Sequence, residues 1–177
     1  MLSNLEKELI KLIAGMDDVP KGGAFSIRRD GDGSLRSSSA NIIVEGREDK
    51  RGINVKIKPG TKDETLYIPV LITKEGHNEL VYNHFEIGED SDVTIIAGCG
   101  IHNPGTEKSQ HDGIHEFHLQ KNSKLKYVEK HFAQGPAEGK KIFNPKTIMT
   151  VEEGGTAELE LVQIKGVDKT KRDTQVI

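Results

Sequence analysis

DSDVTI (residues 90–95) returns in altered letters as NSKLKY (122–127) and TAELEL (156–161). Each reads polar, small, charged, apolar, polar, apolar, and the starts lie 32 and 34 residues apart. Recurrence at such a period marks stacked coils, each covering the last, as in a parallel β-solenoid. A jelly roll or β-sandwich also yields many short strands, so that architecture stands as the alternative.

The flanking segments agree with a mainly β chain. ANIIVEG (40–46), INVKIK (53–58), TLYIPVLI (65–72), DVTIIAGC (92–99), GIHEFHLQ (113–120), KLKYVEKHF (124–132), KTIMTVEE (146–153) and AELELVQIKG (157–166) are short and bounded by turn residues. They are rich in Val, Ile, Thr or Tyr, or they alternate, which is the signature of strands. Helical periodicity appears in one place, SNLEKELIKLIAGM (3–16). There Ser3 or Asn4 can cap, Glu6 and Glu8 favour the N-terminal end, Leu5, Leu9, Leu12 and Ile13 form the stripe, and Gly15 can stop the helix. Pro20 and KGG (21–23) end any continuation. The expected organisation is a helix with an extended leader over 1–39, then a β-helix domain over 40–177.

Composition narrows the function. The chain has 177 residues, a formal net charge of −3 with mixed signs, no Trp and one Cys. No basic run carries interleaved aromatics, so a nucleic-acid partner is not expected. One cysteine excludes an intrachain disulfide framework and any CxxC zinc site. LYIPVLI (66–72) is far too short to cross a bilayer, and no basic-then-apolar leader opens the chain, so no membrane role and a reducing, cytoplasmic setting are expected.

Alternation along the strands sorts the polar groups. Val93, Ile95, Ala97 and Cys99 share a face, as do His115, Phe117 and Leu119, and Leu125, Tyr127, Glu129 and His131. Each face carries its polar members at one end, so Cys99, His115, Glu129 and His131 are expected to meet at one end of the interior. Two chemistries suit such groups. A metal site, as in a small metal-dependent enzyme using the histidines of 102–118, would draw on Cys99, His102, His111 and His115, if the loop from 102 to 112 folds back. A nucleophile with its base would draw on Cys99, His115 and Glu129, although no oxyanion hole is legible. The plainer readings are core cysteine and half-buried strand or loop histidines. DGDGS (30–34) lacks the glycine and glutamate of a calcium loop and reads as a tight turn. GPAEGKK (135–141) is one residue short of a phosphate loop, and GREDKRG (46–52) is a charged surface turn.

Three longer segments, VYNHFEIGEDSDVTIIAGCGIHN (81–103), SQHDGIHEFHLQKNSKLKYVEKHF (109–132) and GKKIFNPKTIMTVEEGGTAELELVQIKGVDKT (139–170), resemble the SufB/SufD family of iron–sulfur cluster assembly proteins. The closest likeness is to the N-terminal and central part of its short SufD-like members. The resemblance implies a right-handed parallel β-helix. It also implies a non-enzymatic scaffold that acts with a SufC-type ABC ATPase and a SufB-like subunit, or self-associates through its strand edges. The cluster would be transient and shared with a partner, with none in the isolated chain. Cys99 matches a family cysteine thought to receive or relay sulfur. His115 matches a histidine of the following strand, though IHEFHLQ lacks the family's Val and Glu, and position 131 falls near a polar residue of an internal tunnel. On this reading Cys99, His115, Glu129 and His131 handle sulfur or iron, while His102, His111 and His118 are loop or surface residues. Family members continue beyond the point matching Ile177 through further coils, a pairing surface and an ATPase-docking region, so a shortened or degenerate member is expected.

Overall fold

One corner of the fold is turned four times in the left-handed backbone region, at Gly60 (φ 74°), Asp90 (φ 57°), Asn122 (φ 57°) and Gly154 (φ 73°). Only Gly, Asn and Asp visit this region at little cost, and these are the residues found. The residue after each of the first three corners is small because it points inward: Thr61, Ser91 and Ser123 are buried. Their hydroxyls stay satisfied, since Thr61 donates to Lys58 O (2.7 Å), Ser91 to Lys58 O (3.0 Å) and Ser123 to Gln120 O (2.7 Å). These are the polar and small letters of the sequence repeat.

The computed structural model describes all 177 residues. A helix, α1 (Asn4–Ala14), is followed by hairpins β1 (Phe25–Arg29)–β2 (Asp32–Ser37) and β3 (Ile42–Gly46)–β4 (Ile53–Ile57). Four coils follow: β5 (Lys62–Ile72) with β6 (Asn78–Ile87), β7 (Asp92–His102) with β8 (Ser109–Leu119), β9 (Lys124–Gln134) with β10 (Lys141–Val151), and β11 (Thr156–Lys165) with the short β12 (Lys169–Thr170) and β13 (Asp173–Val176). The strands stack into two sheets. Sheet A runs β11-β9-β7-β5-β1-β2 and sheet B runs β12-β10-β8-β6-β4-β3, with β13 also on β10. Coil-to-coil pairing is parallel throughout, so the fold is a β-solenoid of about four turns. No helix is long and apolar enough to cross a membrane.

The register refines the repeat. Asp92 pairs with Lys124 and Lys124 with Thr156, so the third copy of the motif starts at Gly154, two residues before TAELEL. A two-residue slip keeps every side chain on its face, so the face assignments survive it. The β structure also begins earlier than expected. Residues 25–37, read as an extended leader, form a hairpin turned at Asp30 (φ 45°) and Gly31 (φ 86°), whose β1 joins β5. The hairpins β1–β2 and β3–β4 cover the first coil's edges, β1 on β5 and β4 on β6.

The interior is a set of ladders, one rung per coil. Phe85 stacks on Phe117 with ring centroids 4.5 Å apart, and Met149 continues the column. Leu66, Ile95 and Tyr127 face them from sheet A. These rungs belong to the main apolar cluster; a smaller one of Val70, Ile72, Cys99, Ile101, Ala133 and Phe143 closes the other end. The polar ladders run between the two.

Helix α1 lies on the outer face of sheet A over β5, β7 and β9. Ser3 caps it, its hydroxyl accepting from Glu6 N at 3.1 Å while Glu6 Oε2 accepts from Ser3 N at 2.7 Å. Its buried stripe is Leu9, Ile10 and Ile13; Leu12 is 45% exposed, because the helix rotates to seat Ile10 against the sheet. The close approach explains the letters GCG. A Cβ on Gly98 would sit 2.7 Å from Lys130 O and 3.1 Å from Ile13 Cβ, and one on Gly100 would sit 3.2 Å from Leu9 Cβ. Gly98→Ala is therefore expected to cost about 2 kcal/mol through overpacking and to make α1 more protease-sensitive. Urea denaturation checks this; an unchanged midpoint would refute it.

Candidate functional site

Cys99, His115, Glu129 and His131 line one small cavity inside the solenoid, as the alternation of their strands requires. Its volume is about 20 Å³, room for one water molecule. Cys99 lies beside Val70 and His131 in the ladder of sheet A, and His115 lies between Asn83 and Thr147 in sheet B. Glu129 reaches across: its Oε1 is 3.8 Å from His115 Nε2 and its Oε2 is 3.7 Å from His131 Nε2. Gly113 leaves the space, since a Cβ there would meet His115 Nε2 at 2.9 Å.

Neighbours that sequence reasoning left out complete the cluster. Tyr127 donates its hydroxyl to Glu129 Oε1 at 2.8 Å, and Arg172, between β12 and β13, donates to Glu129 Oε2. His111 is no loop residue. It lies in β8 on the same inward face as His115, four residues before it, buried, with Nδ1 3.0 Å from Glu79 Oε1. Glu79 in turn accepts from Arg28 Nε at 3.0 Å and lies 3.3 Å from His77 Nε2. The signal for Glu79 and Asn83 is the alternation in NELVYNHFEI, where polar letters stand at inward positions. Nothing local marks Arg172, which reaches Glu129 from 43 residues away.

Of the histidines of 102–118, His111 and His115 line the inner cavity with Cys99, while His102 and His118 point away from it. β7 ends at His102 and β8 starts at Ser109, so the loop is too short to fold back as a metal site needs. Alternation turns His102 to the outer face of sheet A, opposite Cys99, while His111 and His115 point inward. His118 is outward on sheet B, between Glu86 (2.8 Å) and Glu152 (2.8 Å). The set Cys99, His102, His111 and His115 is therefore not assembled, and no group of three or more His, Cys, Asp or Glu is arranged to hold a metal ion.

Burial governs the electrostatics. Burial pushes the Cys99 thiol well above its usual range, and the charges of Glu79 and Glu129 add to the effect. His115 and His131 are each pushed down to about 4 by burial, against the pull of Glu129. Glu129 stays below the usual carboxylate range: burial raises it, and the charges of His131, His115 and Arg172 outweigh that. At neutral pH both imidazoles are neutral, so Arg172 is the cation that holds Glu129 ionised. Glu79 sits at about 2, because bonds and charge from His111 and Arg28 overcome its burial. The resulting state is a thiol, two neutral imidazoles and one carboxylate. Cys99 is thus a poor nucleophile in the folded chain, which needs thiolate and access. Its reaction with an aromatic disulfide reagent is expected to be about a hundredfold slower in native protein than in urea. Equal rates would show that the site opens freely.

A parallel β-solenoid with a buried Cys–His–Glu–His cluster is the class of molecule these features define. Among known proteins, the chain is 36% identical over 109 residues to an iron–sulfur cluster assembly SufBD family protein of Archaeoglobus fulgidus. The matched residues are 62% of this chain and 28% of that protein. The likeness to the SufB/SufD family read from residues 81–170 is thereby borne out. No family model and no solved structure matches the chain.

Proposed function

We propose that this chain is a scaffold component of iron–sulfur cluster assembly, itself non-catalytic, whose solenoid interior handles sulfur or iron as cargo. The observation that carries the reading is the gathering of Cys99, His115, Glu129 and His131 around one cavity in a chain similar to a SufBD protein. Cys99 would take the outer sulfur of a donor persulfide, whose S–S bond breaks as the donor leaves as a thiolate, or would bind iron; His115 or His131 would accept the Cys99 thiol proton, and Glu129 would steady the imidazolium so formed. A thiolate suits both cargoes, being nucleophilic toward persulfide sulfur and soft toward iron. One thiol does not hold a cluster, so the cluster would be transient and shared with a partner subunit. The partners in this reading are a SufC-type ABC ATPase and a SufB-like subunit, or a second copy joined along the strand edge. Half-buried Leu159 and Leu161 on edge strand β11 support such pairing. A reducing cytoplasm is the setting in which a lone thiol stays free.

The reading of a small metal-dependent enzyme built on the 102–118 histidines finds no support in their orientation. The test is to purify the protein without oxygen, alone and with a co-expressed SufC-type ATPase, and to measure iron, zinc and acid-labile sulfide. Iron and sulfide that appear with the partner and vanish in Cys99→Ser support the proposal. Full loading of Cys99→Ser removes the role of Cys99, and stoichiometric zinc in the lone chain would put the metal-enzyme reading first.

A further inference from the structure

The two N-terminal hairpins enclose a second cavity, of about 590 Å³, in the size range of small-molecule sites. Its walls are cationic. Arg28 comes from β1, Arg36 from β2, and Arg47, Lys50 and Arg51 from the β3–β4 turn GREDKRG. A charged surface turn is the ordinary reading of that heptad, but the fold bends it over the cavity opposite Arg36.

Carboxylates neutralise part of this charge. Arg47 is spent on Asp49 (3.0 Å through both Nε and Nη2), and Arg28 Nε on Glu79. Arg36, Lys50 and Arg51 make no ion pair. Arg36 donates to Gly33 O at 2.8 Å, Lys50 sits 4.3 Å over the Tyr82 ring, and the one carboxylate on the lining, Glu48, is exposed. Glycine keeps the approach open: a Cβ on Gly46 would meet the Arg36 guanidinium at 2.9 Å, and one on Gly33 would meet Arg28 Nη1 at 3.1 Å. The walls are therefore guanidinium groups on three separate elements. The apolar floor includes Ile68, Val70 and Val81.

The floor is also the roof of the inner cavity. Ile68, Val70 and Asn83 line both, and Asn83 Nδ2 lies 3.3 Å from His115 Nδ1. A second path runs from Arg28 through Glu79 to His111, which lines the inner cavity. A ligand in the outer cleft would thus sit one residue layer from the Cys–His–Glu–His cluster.

We propose that this cleft binds a small molecule carrying two or more linked phosphate groups. Guanidinium forks match phosphate oxygens in pairs, and cations spread over three elements suit a chain of charges better than a single anion. A concave site of this size favours a small ligand over a nucleic-acid strand, and the overall charge of −3 points the same way. The proposal stands on the cleft alone and does not depend on the assembly role above.

The test uses the full chain, with inorganic pyrophosphate and adenosine diphosphate as probes, by calorimetry at low and moderate salt. Both are expected to bind more tightly than about 1 mM, and Arg36→Ala with Arg51→Ala to weaken them at least about tenfold. Lys126→Ala, on the exposed outer face of sheet A, is expected to change nothing. Far-UV circular dichroism and thermal melts confirm that each variant is folded. Equal affinity for the two probes assigns the site to the phosphates, whereas tighter nucleotide binding adds an organic group on the apolar floor. No binding of either at about 1 mM, or equal binding to the double variant, overturns the proposal.

Discussion

Taken from about pH 7 down to about pH 4, the protein is expected to lose several kcal/mol of folding stability. His115 and His131 are the cause. Each has an ordinary value of 6.5 in the unfolded chain and about 4 in the folded one. Between those values the unfolded state holds more protons, so stability falls as pH falls. At 1.36 kcal/mol per unit, the two shifts give a ceiling of about 7 kcal/mol, reduced because both rings share Glu129 and titrate together. Glu79 extends the loss at lower pH: ordinarily at 4.5 and here at about 2, it contributes stability above 4.5 that disappears as pH falls through 2. His118 acts in the opposite sense. Its bond to Glu152 raises it, so its contribution is complete below 6.5 and is lost as pH rises through its folded value. That pair is largely exposed and worth about 0–1 kcal/mol, too little to reverse the trend. Urea denaturation across this range checks the prediction. His131→Leu should flatten the slope above pH 4, and a wild-type midpoint independent of pH would refute the account.

Arg172→Met is expected to destabilise the protein by about 3 kcal/mol, the low end for breaking a buried ion pair. Glu129 is 2% exposed, and without Arg172 its carboxylate keeps the Tyr127 hydroxyl as a neutral donor and no permanent cation. Arg172 is itself 25% exposed, which is why the low end applies. Adding Glu129→Gln to Arg172→Met should recover most of the loss, because the charge is then gone with its partner. The histidine resonances carry a second readout. With Arg172 absent, His115 and His131 become the cations available to Glu129, and both should titrate at higher pH. Unchanged histidine titration in Arg172→Met would mean that Glu129 is held by something else. The test bears on function, because the protonation of the two imidazoles decides whether either can accept the thiol proton of Cys99.

Much of this molecule is written locally. The two-residue period of a strand assigns a face whatever the partner, so Cys99, His115, Glu129 and His131 are legible as inward groups from their own strands. The corner letters repeat because backbone in the left-handed region accepts few residue types, and Ser3 and Gly15 bound α1 for equally local reasons. Other features depend on the register between coils. NELVYNHFEI escapes as a strand because Glu79 and Asn83 interrupt its apolar face, and they are tolerable there because the next coil sets His111 and His115 beside them. FSIRR and DGSLRS are short and half polar, and they become strands because β5 offers an unpaired edge. The burial of Cys99 depends on Val70 of the coil before it and on Ala133 and Phe143 of the coil after it. The pairing of Glu129 with Arg172 depends on the last coil closing over the third. Distance along the chain is the physical divide: faces and turns follow from neighbouring residues, whereas charge state and access follow from groups that meet only after the coils have stacked.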